Sequence, residues 1–219
     1  NSNTTLALQT IIDKLHTHIK QKHPTIAIYI DLSKAYDTVS HTKLLHKLRH
    51  TFNFTPSTVA FFASYFHNRQ QSTHTQHAQS ETQTITHGIP QGSTLSTTFF
   101  LLYINDIIQT VTKSTVYTYA DDTTLIVTSP DIPALQALAQ TELNSLINYF
   151  HTNNLVPNPT KTNYSVFCPS NVIEPSVQWW DNPRPHPVLK LKVRETRLRQ
   201  KKQAKLLGVM IQDNLKFHK

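Results

Sequence analysis

Cysteine is almost absent from this sequence, because Cys168 is the only one among its 219 residues. A single cysteine excludes an internal disulfide and a zinc site built from several cysteines, and it fits a reducing compartment without proving one. Glycine is also scarce, with three residues in the whole chain. Because glycine adopts backbone conformations that other residues avoid, we expect those positions to be sharp turns or close backbone approaches.

The sequence also lacks a long apolar run and has few acidic side chains. No segment approaches the ~20 apolar residues that a membrane-spanning helix needs, and no secretory signal opens the chain. We therefore expect an intracellular protein without a membrane partner. Asp and Glu number 13 against 21 Lys and Arg, a formal net charge of +8. This balance favours an acidic partner, most commonly nucleic acid, although solvated faces also carry such residues.

The length and a change in composition predict how the chain is organised. A chain of 219 residues can form one sizeable core with an appendage. From Pro169 onward, prolines surround Trp179 and Trp180, and a basic stretch follows. We predict a main domain over 1–168, and a proline-rich connection with a basic β-hairpin over 169–219. Because the chain begins at Asn1 and its only methionine lies near its end, we expect a piece of a longer protein.

The order of hydrophobic patterns predicts an α+β fold. The patterns are a buried strand, three helices, a strand pair, a long helix and a last strand, at about 25–30, 41–50, 56–66, 95–108, 116–127, 132–151 and 164–167. This order is compatible with an antiparallel, ferredoxin-like sheet covered on one face by helices. A polar stretch over 68–87 predicts a short hairpin or an edge strand.

Two adjacent carboxylates lie at the predicted tip of the strand pair, in Tyr119-Ala120-Asp121-Asp122. A third carboxylate, Asp31, ends the first predicted strand. Neighbouring like charges raise each other's pKa unless a cation supplies the opposite charge. Magnesium prefers such oxygen ligands. Although a single Asp-Asp pair in a turn is usually only solvated, the combination predicts a metal site.

Three segments together resemble the palm motifs of reverse transcriptases. Asp31-Leu32-Ser33-Lys34-Ala35-Tyr36-Asp37 resembles the first motif. Gly88-Ile89-Pro90-Gln91-Gly92-Ser93, which continues into the apolar helix, resembles the second, and Tyr119-Ala120-Asp121-Asp122 resembles the third. Thr97 stands where the family usually has a proline.

Three more segments are similar to the reverse transcriptases of non-LTR (LINE-type) retrotransposons. They are Ser64-Tyr65-Phe66-His67-Asn68-Arg69-Gln70, Asn158-Pro159-Thr160-Lys161-Thr162 and Leu206-Leu207-Gly208-Val209. All three glycines of the chain, Gly88, Gly92 and Gly208, fall within the matched motifs. The resemblance therefore covers nearly the whole chain. It implies a right-hand polymerase palm with the fingers and thumb incomplete or absent.

The resemblance also implies a chemistry, RNA-directed DNA synthesis with two Mg²⁺ ions, for which Mn²⁺ is a possible substitute. Asp31 and Asp121 would bridge the metals, and Asp122 would be a further carboxylate of the site. Lys161 would donate a proton to the departing pyrophosphate; otherwise it is a solvated loop charge.

Substrate contacts follow from the same resemblance. Tyr36 would be a steric gate against a 2′-hydroxyl, and Pro90, Gln91 and Gly92 would line the nucleotide. The residues expected to contact nucleic acid are Arg69, Gly88 and Tyr119. The implied partners are an RNA template, a DNA primer, deoxynucleoside triphosphates and other domains of a longer polyprotein, in the nucleus or the cytoplasm.

Two alternatives stay open. One is a catalytically inactive remnant that acts as a nucleic-acid-binding module, and the other is a polymerase of the group II intron maturase or retron type.

Overall fold

The protein was analysed as a computed structural model that describes residues 4–168, 187, 189–206 and 209–212. The helices of this part of the chain are α1 (Thr4–Lys20), α2 (His41–His50), α3 (Pro56–Phe66), α4 (Ser96–Ile104) and α5 (Ile132–Thr152). Its strands are β1 (Thr25–Ile30), β2 (Leu32–Ser33), β3 (Gln70–Gln71), β4 (Gln83–Thr84), β5 (Thr115–Tyr119), β6 (Asp122–Thr128), β7 (Val156–Pro157), β8 (Asn163–Phe167), β9 (Lys192–Val193), β10 (Thr196–Arg197), β11 (Arg199–Gln200), β12 (Gln203–Leu206) and β13 (Val209–Gln212). None of the described helices is long and apolar enough to cross a bilayer.

The chain divides into two compact units. The sheet unit comprises Asn1–Ser33, Ile107–Tyr149 and Pro157–Lys219, and the helical unit comprises Lys34–Asp106 and Phe150–Val156. The domain boundary expected near residue 168 stays a prediction, because the proline-rich connection over 169–186 lies outside the described residues.

A five-stranded sheet in the order β11-β8-β1-β6-β5 organises the sheet unit. Neighbouring strands are antiparallel, except that the edge strand β11 runs parallel to β8. The central strand β1 is buried along its whole length, as its nearly continuous apolar sequence predicts. The α+β fold with an antiparallel sheet is therefore confirmed. Because β1 lies between β6 and β8, residues at its C-terminal end lie close to the ends of both neighbours.

A hydrophobic cluster covers one face of this sheet. It joins α1 and the β12–β13 hairpin to sheet residues, and it contains Ile11, Leu15, Ala27, Tyr29, Ile126, Phe167, Ala204, Leu206 and Ile211. Burying one such large side chain stabilises the fold by ~1.5–3 kcal/mol. The cluster thus packs α1 and the β12–β13 hairpin against the sheet.

Helix α5 begins after a side-chain cap, since the backbone N–H of Ala134 donates to Asp131 Oδ1 at 2.8 Å. Its buried residues within the sheet unit include Leu135, Leu143 and Leu146, together with one charged residue, Glu142. A buried carboxylate requires hydrogen-bond donors around it.

The helical unit is built from α2, α3 and α4. Ser40 caps α2, and Thr55 caps α3, which has a proline in its first turn. Aromatic rings from α3 and α4 pack together, with Phe62 edge-on to Phe99 at 5.0 Å between centroids. The buried Lys47 of α2 forms an ion pair at 2.7 Å with Asp106, which lies in the 3-10 helix that follows α4.

Two expectations about this region can be compared with the structure. The short hairpin expected over 68–87 is confirmed by the pairing of β3 with β4. The apolar helix expected over 95–108 is shorter, because α4 ends at Ile104 and a 3-10 helix covers Asn105–Thr110. The same apolar spacing suits both helix types over one or two turns, so the pattern alone did not separate them.

Candidate active site

The predicted Asp-Asp hairpin is formed by β5 and β6. Their last residue pair is Tyr119 with Asp122, so Ala120 and Asp121 alone form the turn. Ala120 has a φ of 52°, in the left-handed region that costs a non-glycine residue ~1–2 kcal/mol. Such backbone strain is kept where the surrounding structure holds it. The turn leaves the side chains of Asp121 and Asp122 exposed.

Asp31 follows β1 immediately, beside this hairpin. The β1–β6 ladder ends at the pair Ile30–Thr123, so the next residues along the two strands are Asp31 and Asp122. Both aspartates line one cavity of about 120 Å³ at the end of the sheet. The expectation that the hairpin and the first strand bring carboxylates together is therefore met for this pair, while Asp121 is not among the residues that line the cavity.

The electrostatics of Asp122 reflect its neighbours. Partial burial raises the pKa of its carboxyl group above the ordinary value, and the negative charges of Asp121 and Asp31 raise it further. Three acidic groups thus interact at this strand end. A bound cation would remove the repulsion that raises the pKa of Asp122.

The carboxylates of this cavity suit a metal ion by their chemistry, although they do not form a complete set of metal ligands. In the described part of the chain, no group of three or more His, Cys, Asp or Glu side chains is arranged to hold a metal. The groups that Asp31 and Asp122 present to the cavity are carboxylate oxygens, which are the ligands that Mg²⁺ prefers. Mg²⁺ commonly takes one or two protein carboxylates and completes its shell with water and substrate phosphates.

Lys161 lines the same cavity from the loop between β7 and β8. Two residues of this loop form hydrogen bonds with the backbone of Asp31, one with its carbonyl oxygen and one with its N–H. The Asn158 N–H donates to the Asp31 carbonyl oxygen at 2.8 Å, and the Asp31 N–H donates to Thr162 Oγ1 at 3.3 Å. These hydrogen bonds therefore keep Lys161 and Asp31, which are far apart in sequence, on the wall of the same cavity.

The helical unit contains a separate, larger cavity of about 580 Å³. It is lined by four residues of the sequence prediction, Arg69, Gly88, Pro90 and Gln91. Lys34 contributes a second positive charge to its wall. The cavity thus combines these cationic groups and several amide groups with one carboxylate, Asp37, which accepts a hydrogen bond from Gln91. The cationic groups suit a ligand that carries phosphate.

The turn of the second motif is attached to the segment that carries Tyr36. The N–H of Ile89 donates to the Tyr36 carbonyl oxygen at 2.9 Å, and Gln91 Nε2 donates to Asp37 Oδ1 at 2.9 Å. Gly88 has a φ of 89°, and a Cβ there would lie 2.9 Å from the Asp37 carbonyl oxygen. Glycine is required at this position for both reasons.

The other residues expected to contact nucleotide or nucleic acid lie outside the two cavities described above. The Tyr36 ring stacks on Phe100, with 4.8 Å between centroids. Gly92 also has a positive φ, 82°, but the space where a Cβ would lie is open. Tyr119 ends β5 and is exposed over 36% of its surface. Gly208 lies outside the described residues.

Glu142 is a further buried residue of this region, and it was not among the residues expected from the sequence. Its carboxylate accepts hydrogen bonds from the residues directly before β5, namely from the Thr112 and Lys113 N–H groups and the Ser114 hydroxyl. A signal was present, since Glu142 lies seven residues after Leu135 and four before Leu146, on the apolar side of the helix. A charged residue at such a position indicates a buried group with partners.

Comparison with known proteins identifies relatives of the chain. The family described as "Reverse transcriptase (RNA-dependent DNA polymerase)" matches residues 2–211. The RNA-directed DNA polymerase from mobile element jockey of Drosophila melanogaster is 26% identical over 151 residues. That alignment covers 65% of this chain but only 16% of the relative. The chain therefore spans about a sixth of the length of this curated relative.

Two telomerases are among the solved structures whose fold is similar to that of this chain. The apo telomerase from Candida Tropicalis, truncated from its C-terminal domain, aligns with a TM-score of 0.62 and 12% identity, over 100% of this chain and 40% of that one. The Candida albicans telomerase in complex with a TWJ fragment of telomeric RNA gives a TM-score of 0.59 and 12% identity, over 99% and 34%. At this identity the likeness concerns the fold, and it agrees with the palm architecture expected from the motifs.

Proposed function

This chain belongs to the reverse transcriptase family, and we propose that it catalyses nucleotidyl transfer in RNA-templated DNA synthesis. The observation that carries the proposal is the cavity at the end of β1 and β6, where Asp31 and Asp122 meet beside Asp121. The jockey relative, the polymerase of a mobile element, favours a retrotransposon polymerase over an intron maturase or a retron enzyme. It supports the resemblance to non-LTR elements.

Asp31, Asp121 and Asp122 are the residues that would hold Mg²⁺, or Mn²⁺ in its place. When bound, two such ions would stabilise the negative charge that develops on the attacking and leaving oxygens. Burial raises the pKa of Asp122, and the negative charges of Asp121 and Asp31 raise it further; the charge contribution supports this role, because it makes the cluster favourable for cations. Asp121 lies in the turn next to the cavity, where a bound triphosphate can supply further oxygen ligands.

Lys161 is the proposed proton donor for the departing pyrophosphate. Its position on the wall of the cavity that contains Asp31 supports this role. The ammonium group would give its proton to the leaving oxygen as the bond to the α-phosphorus breaks. It would also attract the charged triphosphate before reaction.

The helical unit is proposed to contact nucleotide and template. Stacking of Tyr36 on Phe100 at 4.8 Å holds the ring in one orientation, as a steric gate requires. Arg69 in the larger cavity would pair with a phosphate, and Pro90 and Gln91 of the same wall would offer a turn to the nucleotide. Gly92, the next residue of that turn, is proposed to take part in this contact. An RNA template, a DNA primer and deoxynucleoside triphosphates are the proposed partners, with other domains of a longer polyprotein.

One observation favours a second candidate, a nucleic-acid-binding remnant without catalysis. The chain has a formal net charge of +8, which suits an acidic partner with or without catalysis. In this alternative, the basic charge of the chain binds nucleic acid and the acidic cluster is not used.

Primer extension separates the two candidates. A labelled DNA primer on an RNA template is incubated with deoxynucleotides and Mg²⁺, using this chain and its Asp31→Asn and Asp121→Asn variants. We expect extension by the unaltered chain and a loss on the order of 100-fold in each variant. Asp131→Asn is the matched control, because asparagine also caps helices. A folded chain that binds the primer–template but does not extend it would contradict the proposal and favour the remnant.

A further inference from the structure

The loop between β7 and β8 is organised by one side chain. Asn158 Oδ1 accepts hydrogen bonds from the Thr160 N–H at 3.1 Å, from Thr160 Oγ1 at 2.7 Å and from the Lys161 N–H at 3.4 Å. A single carbonyl oxygen therefore holds the backbone that leads into Lys161. Pro159, between them, has a restricted φ, so the turn has little freedom of its own.

The main chain of the same residue connects this loop to Asp31. The Asn158 N–H donates to the Asp31 carbonyl oxygen at 2.8 Å, and the Asn158 carbonyl oxygen accepts from the Thr162 N–H at 2.9 Å. Thr162 Oγ1 in turn accepts from the Asp31 N–H at 3.3 Å. The backbone of Asn158 thus contacts Asp31 at the end of β1, and the side chain of Asn158 contacts Thr160 and Lys161.

Lys161 is held at its other side as well. Its carbonyl oxygen accepts a hydrogen bond from Asn163 Nδ2 at 2.8 Å. With the Asn158 contact, both backbone groups of Lys161 are bonded to side chains, while its own side chain is exposed on the cavity wall. The backbone of Lys161 is consequently fixed while its ammonium group can reach a ligand.

We propose that Asn158 is a positioning residue that sets Lys161 relative to Asp31 through the three hydrogen bonds to its Oδ1. The inference rests on the proposed function, in which Lys161 donates the proton to pyrophosphate. It assigns to Asn158 no contact with substrate. Small displacements of a catalytic group reduce rates strongly, and ~1 Å can cost about 100-fold.

The first experiment measures how strongly Asn158 protects the backbone of the loop, and it does not require an active enzyme. Amide hydrogen exchange at Thr160 and Lys161 is compared in the unaltered chain, Asn158→Ala and Asn158→Asp. Aspartate keeps an acceptor oxygen for all three donors, whereas alanine keeps none. We expect exchange at Thr160 to be about 10-fold faster with alanine and within ~2-fold with aspartate. Asp131→Ala, which removes a cap elsewhere in the sheet unit, serves as the control and leaves these amides unchanged. Equal exchange in the alanine variant and the unaltered chain would overturn the proposal.

The link to Lys161 is measured by a double-mutant cycle in single-turnover primer extension. We expect Asn158→Ala to slow the chemical step by about 10-fold when Lys161 is present and by less than ~2-fold in a Lys161→Ala background. Asn158→Asp is expected to restore the rate. A purely structural role predicts the same fold-loss in both backgrounds, and that result would refute the inference. If the unaltered chain extends no primer, the proposed function fails, and the exchange measurement still decides whether Asn158 fixes the loop.

Discussion

Replacing Glu142 with glutamine tests whether one buried carboxylate secures the strand that leads to the Asp-Asp turn. Glu142 is 4% exposed. It accepts hydrogen bonds from the Thr112 N–H at 3.2 Å and hydroxyl at 3.3 Å, from the Lys113 N–H at 3.2 Å, and from the Ser114 hydroxyl at 2.8 Å. All four donors lie immediately before β5. The helix therefore holds the entry of the hairpin through one side chain.

The expected magnitude follows from these bonds. Glutamine keeps one acceptor oxygen, but its NH₂ group faces one backbone N–H, which cannot accept a hydrogen bond from it, and one hydroxyl, which can. One bond to a backbone N–H is lost and leaves that donor unpaired, and the remaining bonds lose their charge assistance. With ~1.5–3 kcal/mol for a hydrogen bond to a charged group, and allowing for overlap among bonds that share one carboxylate, we expect a loss of about 2–4 kcal/mol.

Urea unfolding followed by far-UV circular dichroism measures this loss. A destabilisation of about 2–4 kcal/mol lowers the urea midpoint by on the order of 1 M. The matched control is Glu195→Gln, because Glu195 is an exposed residue in the turn between β9 and β10. We expect that control to stay within ~0.5 kcal/mol of the unaltered chain. If Glu142→Gln and Glu195→Gln unfold at the same urea concentration, the inferred role of the buried carboxylate is refuted.

Two further predictions concern the acidic cluster and the glycine turn. The folded-state pKa of Asp122 is raised above its ordinary value of 3.8, so its charge disfavours the folded state above that folded pKa and has no effect below 3.8. Because the group is exposed, Asp122→Asn should stabilise the chain by only about 1 kcal/mol or less at pH 7 and not at pH 3, as judged by urea unfolding at both values; equal gains at both would contradict the assignment. Gly88→Ala should cost about 2 kcal/mol or more, from its positive φ and from the Asp37 carbonyl oxygen 2.9 Å away, whereas Gly92→Ala should cost about 1 kcal/mol from φ alone. Thermal unfolding of the two variants compares these costs, and equal losses would show that the close approach at Gly88 is not limiting.

Several elements could be predicted from the sequence because their ends are determined locally. Helices α2 and α3 have the bounds that their apolar spacing predicts, 41–50 and 56–66. Each begins after a hydroxyl residue, Ser40 or Thr55, whose side chain accepts a hydrogen bond from the first turn. The continuous apolar run of β1 likewise predicted a central strand. In each case the residues that define the element are its immediate neighbours in the chain.

The composition of the cavity at the sheet end was only partly predictable. The motifs bring Asp31 and the hairpin together, but which hairpin aspartate faces Asp31 depends on register. The pair Ile30–Thr123 places Asp122 next to Asp31. Successive side chains of a strand point to opposite faces, so a shift of one residue would exchange Asp121 and Asp122. The roles of the two aspartates as metal ligands stay a prediction.

By itself, the sequence determined the family to which this chain belongs, because the carboxylates at the strand ends and the glycine turn are encoded as short segments with local geometry. It also determined where most helices begin, through caps a few residues away. Only the tertiary structure decided which side chains share one cavity and which loops hold them. Contacts such as Asn158 with Asp31, or Glu142 with the residues before β5, join positions far apart in the chain. They depend on strand order and register, which arise from packing the whole sheet rather than from any one segment.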